Sequence, residues 1–262
     1  MDINQNNFCI VGFGNHAKTK LLPALEKSNK NIFGIVSSKT YLRTNIKIFK
    51  SLQEAINASN KNTIFIISSP PKQHFYQMKL ILNENRNVYV EKPIFINSKE
   101  AKFIKNFLKE KKLIAVELLM YKYTEQYKNF IKIWNLNKDK YIKIECYFNI
   151  PEIPLNTFRD NNDIISSPLY DIGCYVLSLL VDLKISLKNI KIFDVVVEKN
   201  KFVKFYLVGF FKQLEIYLEF GVEKEYKNLV RLSDSKDINV EFNKFFYGRK
   251  SDKDIVYKGK NI

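Results

Sequence analysis

At 262 residues and 46% hydrophobic side chains, the chain is long enough for one large core or two modest ones, which argues against a single helical bundle. Its net charge of +16 comes mostly from lysines scattered along the sequence, so we expect anionic small-molecule ligands and no nucleic-acid partner. Its apolar runs are shorter than the ~18 residues that cross a bilayer, and the polar N-terminus lacks a signal-peptide pattern, which predicts a cytoplasmic protein without membrane contact.

The first part of the chain alternates short apolar runs with amphipathic segments. Strands are predicted near residues 8–11, 31–38, 63–68, 87–90 and 113–117, and helices over 52–59, 73–83 and 99–111. Strands that alternate with helices are typical of a parallel sheet covered on both faces. We therefore predict an α/β fold whose N-terminal domain, residues 1–118, is a doubly wound Rossmann sheet.

Beyond residue 118 the strands mostly follow one another without helices. They are predicted at 141–150, 190–198, 202–211, 213–220 and 229–233, with one helix over 168–182 that begins after the N-cap Ser167. This pattern predicts a C-terminal α+β domain, residues 119–262, with an open and mostly antiparallel sheet. Because large apolar side chains occupy both faces of 202–220, we expect this sheet to mediate a homo-oligomer.

A glycine turn follows the first strand in a G-x-G-x-x-A pattern. Gly12 permits the tight turn, Gly14 lets the backbone approach phosphates, and Ala17 lets the helix pack close to the sheet. This geometry is typical of a site for a dinucleotide pyrophosphate, to which Asn15 and His16 would also contribute.

The end of the second strand indicates which dinucleotide is bound. An NAD-specific fold usually places a carboxylate there for the ribose hydroxyls, whereas this chain has Ser37, Ser38 and Lys39. Two hydroxyls and a lysine suit a 2′-phosphate. The sequence therefore predicts NADP as the preferred cofactor, with NAD as the alternative.

Two further strands end in residues that suit the cofactor crevice. The strand at 87–90 is followed by Glu91 and Lys92, which places a lysine at the carboxyl edge of the sheet, where ligands of such folds bind. The strand at 63–68 is followed by a turn with Ser69 and Pro70, and then by His74; this turn could pass beneath a nicotinamide ribose. A solvated lysine and an exposed histidine are the alternatives that remain open.

In the helix at 168–182, Asp171 and Tyr175 are four residues apart and share one face. A tyrosine placed near a lysine can donate a proton to a forming alkoxide. Taken alone, a tyrosine at this spacing also fits a packing role. Gly173 between them suggests a close contact, since glycine in a helix is about 1 kcal/mol less favourable than alanine.

The segments GFGNHA, IISSPPKQH, VYVEKP, AVELLMYKYTEQ, NTFRDNND and SPLYDIGCY occur in this order. Together they resemble the glucose-fructose oxidoreductase, inositol dehydrogenase and MocA family over roughly residues 8–220. The resemblance implies a nicotinamide cofactor, a catalytic lysine at Lys92 and an active-site aspartate at Asp171. It also implies that both of these residues contact the substrate, together with Arg159 and Tyr175. It also implies a tyrosine-type branch, in which Tyr175 stands where other members have histidine.

The resemblance implies hydride transfer between NADP or NAD and a sugar or keto-sugar, which we expect to be nucleotide-linked. A catabolic dehydrogenase of a free sugar, inositol or a trans-dihydrodiol is the alternative enzyme. Because the chain ends before the long C-terminal segment of many members, a non-catalytic dinucleotide-binding regulatory protein is the third possibility. No metal is expected, since the cysteines, Cys9, Cys146 and Cys174, lack ligand spacing.

Overall fold

The computed structural model describes residues 7–38, 45–152, 158–223, 225–236, 239–247 and 255–258. The chain divides into two compact units, Met1–Leu118 and Leu119–Ile262. Within the described ranges, no helix combines the length and the apolar character that crossing a membrane requires.

The N-terminal unit is built on a six-stranded sheet in the order β3-β2-β1-β4-β5-β6, and every described pairing is parallel. Its strands are β1 (Asn7–Val11), β2 (Asn31–Val36), β3 (Ile48–Phe49), β4 (Ile64–Ile67), β5 (Val88–Glu91) and β6 (Ala115–Leu118). Its helices are α1 (Leu22–Lys27), α2 (Leu52–Ala58), α3 (Pro71–Asn83) and α4 (Ser98–Lys111), with a π-helical turn, Ala17–Leu21, before α1. The prediction of a doubly wound parallel sheet is confirmed.

Burial on both faces explains why these strands read as continuous apolar runs. All four residues of β4 are buried, and the side chains of β1 divide between two separate hydrophobic clusters. Cys9 and Val11 belong to one cluster, whereas Phe8 and Ile10 belong to the other. The two-residue strand β3 carried too little pattern to be predicted.

The C-terminal unit contains a seven-stranded sheet in the order β13-β12-β11-β7-β10-β9-β8. Its strands are β7 (Tyr141–Ile150), β8 (Ile190–Glu198), β9 (Lys201–Phe211), β10 (Leu214–Val222), β11 (Lys227–Asp234), β12 (Asn239–Asn243) and β13 (Ile255–Lys258). Among the described strands of this sheet, only β7 and β10 pair in parallel. The predicted mostly antiparallel sheet is confirmed, although β12 and β13 were missed.

A helix that was not predicted, α5 (Glu125–Asn137), packs on this sheet. The hydroxyl of Thr124 caps it by accepting a hydrogen bond from the backbone of Tyr127. Phe130 and Trp134, one turn apart, are buried, and the Phe130 ring meets Phe242 of β12 edge-on at 5.1 Å. The cap and the four-residue spacing are the signals that could have located α5.

The helix predicted over 168–182 is two helices, α6 (Pro168–Asp171) and α7 (Gly173–Asp182), which are separated at Ile172. Ser167 caps α6, as predicted, by accepting from the backbone of Leu169. Gly173 allows close packing, because a Cβ there would lie 2.8 Å from the Phe220 ring. The close contact inferred from this glycine is therefore present, whereas the single continuous helix was wrong.

Candidate dinucleotide and substrate sites

The carboxyl edge of the N-terminal sheet gathers most of the predicted cofactor residues. Gly12 follows β1, Ser37 follows β2, Ser69 lies just beyond β4, and Lys92 follows β5. The strand order reverses between β1 and β4, and such a reversal opens a crevice at the carboxyl ends of the strands. The sheet topology thus brings these four positions to one edge.

The glycine turn has the geometry that the motif predicts. Gly12 has φ +88°, and a Cβ at this position would lie 2.8 Å from the backbone nitrogen of Ser69. Around Gly14, a Cβ would meet nothing within 4 Å, so the backbone is open on that side. Ala17 is fully buried against the sheet. The turn therefore combines one glycine required by the fold with a second that leaves space for a ligand, and it fits a dinucleotide pyrophosphate.

Asn15 and His16 begin the helical segment after this turn. Asn15 is exposed, and its carbonyl accepts a hydrogen bond from the hydroxyl of Thr19. The His16 ring lies 3.0 Å, Nε2 to Oε1, from Glu91. Two residues predicted to bind cofactor, His16 and Glu91, are therefore bonded to each other in this structure.

His74 is buried rather than exposed, since only 1% of its surface is accessible. Its Nδ1 lies 2.9 Å from the carbonyl oxygen of Pro93, and its Nε2 lies 2.8 Å from the carbonyl oxygen of Ser69. Burial lowers the pKa of the ring, an effect that the two carbonyls and the charges of Glu91 and Glu100 oppose. The alternative of an exposed histidine is therefore wrong, because His74 is an internal bridge between two loops.

The turn that contains Ser69 and Pro70 is tied to α3. The Ser69 hydroxyl donates to Oε1 of Gln77 at 2.6 Å, and Pro70 is exposed at the start of the helix. Gln77 was not predicted to contact this turn, because a glutamine on a helix surface has no distinguishing sequence pattern.

Lys92 is half-buried, and the peptide bond that joins it to Pro93 is cis. The next residue, Ile94, donates its backbone N–H to Oε1 of Glu117 at 3.0 Å. Glu117 lies on β6 beside β5 and was not predicted as a site residue. Its place in the segment AVELL gave no sign that its side chain reaches back to the segment Glu91–Ile94, here called the lysine loop.

At the end of β2, the backbone of Ser37 donates to the carbonyl oxygen of Phe49 at 3.0 Å, and Ser38 is exposed. The predicted contact from Lys39 lies outside the described residues.

In the C-terminal unit, the structure brings Arg159 and Asp171 together. Arg159 Nη2 donates to Asp171 Oδ1 at 3.0 Å, and its Nε lies 2.7 Å from Oδ2. Asp171 is buried at the end of α6, so the guanidinium compensates a carboxylate that is largely removed from water. Two predicted substrate-binding residues therefore form one charged pair.

Tyr175, on the first turn of α7, is 7% exposed and belongs to an aromatic cluster. Its ring centroid lies 5.5 Å from Phe148 and 5.9 Å from Tyr121. The hydroxyl of Ser178 donates to the Tyr175 carbonyl oxygen at 2.7 Å, which anchors its backbone. The ring is thus held firmly beside the segment that carries Asp171.

No group of three or more histidine, cysteine, aspartate or glutamate side chains in the described parts of the chain could hold a metal ion. The candidate functional residues therefore lie in the glycine turn and beside Lys92 in one unit, and in the Arg159–Asp171 pair and at Tyr175 in the other.

A doubly wound parallel sheet with a glycine turn after its central strand defines a dinucleotide-binding domain. Residues 6–118 match the Gfo/Idh/MocA profile, an oxidoreductase family with an NAD-binding Rossmann fold. This match spans the N-terminal unit, so the resemblance to this NAD-binding oxidoreductase family is confirmed for that part of the chain. A sequence comparison with curated proteins gives no match.

Solved structures share the fold over most of the chain. KijD10, a 3-ketoreductase from Actinomadura kijaniata solved in complex with NADP and TDP-benzene, is 18% identical with a TM-score of 0.79, and the match covers 93% of this chain and 78% of KijD10. A dehydrogenase from Chromobacterium violaceum is 17% identical with a TM-score of 0.73, and that match covers 91% and 72% of the two chains. At these identities the likeness shows the fold.

Proposed function

We propose that the protein is an NADP-preferring oxidoreductase that transfers a hydride between nicotinamide and a nucleotide-linked sugar or keto-sugar. The observation that carries the proposal is the carboxyl edge of the Rossmann sheet, where the open backbone at Gly14 and the half-buried Lys92 lie at one margin of a domain of this family. When bound, the nicotinamide supplies or accepts the hydride at C4, and the protein supplies the proton and the binding groups.

The proposed roles divide between the two units. Lys92 polarises a substrate oxygen, Tyr175 gives its hydroxyl proton as a carbonyl is reduced to an alcohol, and Asp171 accepts hydrogen bonds from substrate hydroxyls. Arg159 pairs with Asp171 and orients its carboxylate, as their 3.0 Å hydrogen bond supports. We further propose that the chain belongs to the tyrosine-type branch of the family.

Paired hydroxyl deletions test the role of Tyr175. Tyr175→Phe should lower turnover by ~10²- to 10⁴-fold with NADPH affinity unchanged, because it removes only the proton donor. Tyr121→Phe is the matched control, since Tyr121 lies in the same cluster and its hydroxyl bonds Ser178 at 2.8 Å. The control should lose about 1 kcal/mol of unfolding free energy and keep its turnover. Near-full activity in Tyr175→Phe would instead make Tyr175 a packing residue.

Cofactor preference follows from the missing carboxylate after β2. Calorimetric titration should show NADPH binding at least tenfold more tightly than NADH, a difference of about 1.4 kcal/mol. Ser38→Asp should reverse the preference by adding a carboxylate for the ribose hydroxyls, whereas Ser38→Asn, of similar size and uncharged, should not. Equal affinities for the two cofactors in the unaltered protein would contradict the proposal.

A nucleotide-linked substrate is supported by the net charge of +16 and by KijD10, which was solved with TDP-benzene. Absorbance at the nicotinamide band, followed with NADPH and a panel of TDP-linked keto-sugars and free keto-sugars, tests it directly. TDP should inhibit competitively against the active sugar. Turnover of a free sugar that TDP does not inhibit would favour a catabolic dehydrogenase.

We also propose a homo-oligomer through the C-terminal sheet. Along β9, Phe205 and Leu207 enter the core, so Tyr206, Val208 and Phe210 share the opposite face, and Phe210 is 62% exposed. Light scattering should report an oligomer at micromolar concentration. Phe210→Asp should dissociate it, whereas Leu136→Asp, at the similarly exposed end of α5, should not; a monomeric parent protein would refute the inference.

A further inference from the structure

The segment Glu91–Ile94, which carries Lys92, is held by side chains from three other elements. His16, from the glycine turn, bonds the Glu91 carboxylate at 3.0 Å. His74, from α3, bonds the Pro93 carbonyl at 2.9 Å, and Glu117, from β6, accepts from Ile94 N–H at 3.0 Å. The residues on both sides of Lys92 are thus fixed by contacts within the N-terminal unit.

The contact from His74 is the innermost of the three. Its ring is 1% exposed, whereas the side chains of His16 and Glu91 are 41% and 16% exposed. A buried hydrogen bond is screened little by water, so it restrains its partner more than a surface contact does. Among these three contacts, His74 therefore contributes the stiffest support to the lysine loop.

His74 also joins the lysine loop to the glycine turn. Its second nitrogen bonds the Ser69 carbonyl at 2.8 Å, and the backbone of Ser69 lies against Gly12, where a Cβ would come within 2.8 Å. A neutral imidazole donates from only one nitrogen at a time, so the two carbonyls compete for its proton unless the ring is charged. The contacts run from Gly12 through Ser69 and His74 to Pro93, next to Lys92.

We propose that His74 is a positioning residue that sets the placement of Lys92 and connects it to the pyrophosphate turn. The inference rests on the proposed role of Lys92 in the reaction. It assigns His74 no contact with cofactor or substrate. Its ring lies between the carbonyl of Pro93 on one side and that of Ser69 on the other, and each ring nitrogen is within hydrogen-bond distance of one of them.

Two amide variants separate the two contacts. The amide nitrogen of asparagine takes roughly the place of Nδ1 and can still donate to Pro93, whereas that of glutamine takes roughly the place of Nε2 and can donate to Ser69. His74→Gln should therefore loosen the lysine loop, and His74→Asn should keep it. With an active substrate, kcat should fall by ~10²-fold in His74→Gln with little change in NADPH affinity, and much less in His74→Asn.

A readout without cofactor or substrate tests the placement itself. Trace acetylation with acetic anhydride, followed by mass spectrometry of peptides, measures the reactivity of each lysine in the folded protein. In His74→Gln the rate at Lys92 should change about threefold or more, because the reactivity of an amine depends on its exposure and on the groups around it. Lys105, exposed on α4, should keep its rate and serves as the internal control.

The outcomes distinguish this inference from the proposed function. Unchanged Lys92 labelling in a folded His74→Gln, or an equal change in His74→Asn, would overturn the positioning role whatever the enzyme activity. Failure of the unaltered protein to bind NADPH would instead overturn the proposed function and leave the labelling result valid. If His74→Gln does not fold, Glu117→Ala, which frees the other side of Pro93, must change Lys92 labelling while Lys105 is unaffected.

Discussion

The two glycines of the N-terminal turn should separate folding from dinucleotide binding when each is replaced by alanine. At Gly12 the backbone has φ +88°, which disfavours a residue with a Cβ by roughly 1–2 kcal/mol. The new Cβ would also lie 2.8 Å from Ser69 N and 2.9 Å from its Cα, and such overpacking adds about 1–3 kcal/mol. Gly12→Ala should therefore lose about 2–5 kcal/mol of unfolding free energy.

At Gly14 a Cβ meets nothing within 4 Å, so the stability of Gly14→Ala should stay within about 0.5 kcal/mol of the parent protein. The methyl group would occupy the space that we assign to the pyrophosphate. NADPH affinity should fall at least tenfold, or about 1.4 kcal/mol.

Urea unfolding gives the stabilities, and calorimetric titration with NADPH gives the affinities of the parent protein and both variants. Gly14→Ala serves as the size-matched control for Gly12→Ala in the unfolding experiment. Parent-like NADPH affinity in Gly14→Ala would refute the placement of the pyrophosphate. Equal stability of the two variants would refute the argument from strain and contact at Gly12.

Three further predictions follow from burial. Gly173→Ala should lose about 1–3 kcal/mol because its Cβ would lie 2.8 Å from the fully buried Phe220 ring, and an unchanged melting temperature would contradict this. In the native protein a thiol reagent should label Cys174 well before Cys9 and Cys146, because those two thiols are both 0% exposed. Burial also raises the pKa of Cys9 to about 12, which disfavours its reactive thiolate. Equal labelling of all three cysteines, measured by mass spectrometry, would contradict this prediction. Burial lowers the pKa of His74 below its ordinary 6.5, so as the pH falls the unfolded chain takes up a proton before the folded protein does. The stability that His74 contributes should therefore be full above pH 6.5 and decline below it. Urea unfolding at pH 7.5 and 5.5 should therefore show the stability gap between the parent protein and His74→Gln narrowing at the lower pH, and a constant gap would count against it.

The placement of the glycine turn and of Lys92 at the carboxyl edge of the N-terminal sheet was largely predictable from the sequence. Local patterns fixed it, because Gly12 and Gly14 lie in one short turn and Lys92 directly follows a buried strand. In a parallel sheet, residues that follow strands all reach the carboxyl edge, so chain order alone predicted that they would gather there. The change from alternating strands and helices to consecutive strands likewise predicted the two kinds of sheet.

The sequence by itself determined the two sheets, the glycine turn and the residue types offered to a dinucleotide, because each depends on neighbours within a few positions. Only the tertiary structure decided that His74 is an internal bridge to Ser69 and Pro93, that Glu117 holds the lysine loop and that Arg159 pairs with Asp171. These contacts join residues 5 to 23 positions apart whose side-chain directions depend on how strands and helices pack. A local pattern gives the chemistry of a side chain, whereas packing chooses its partner.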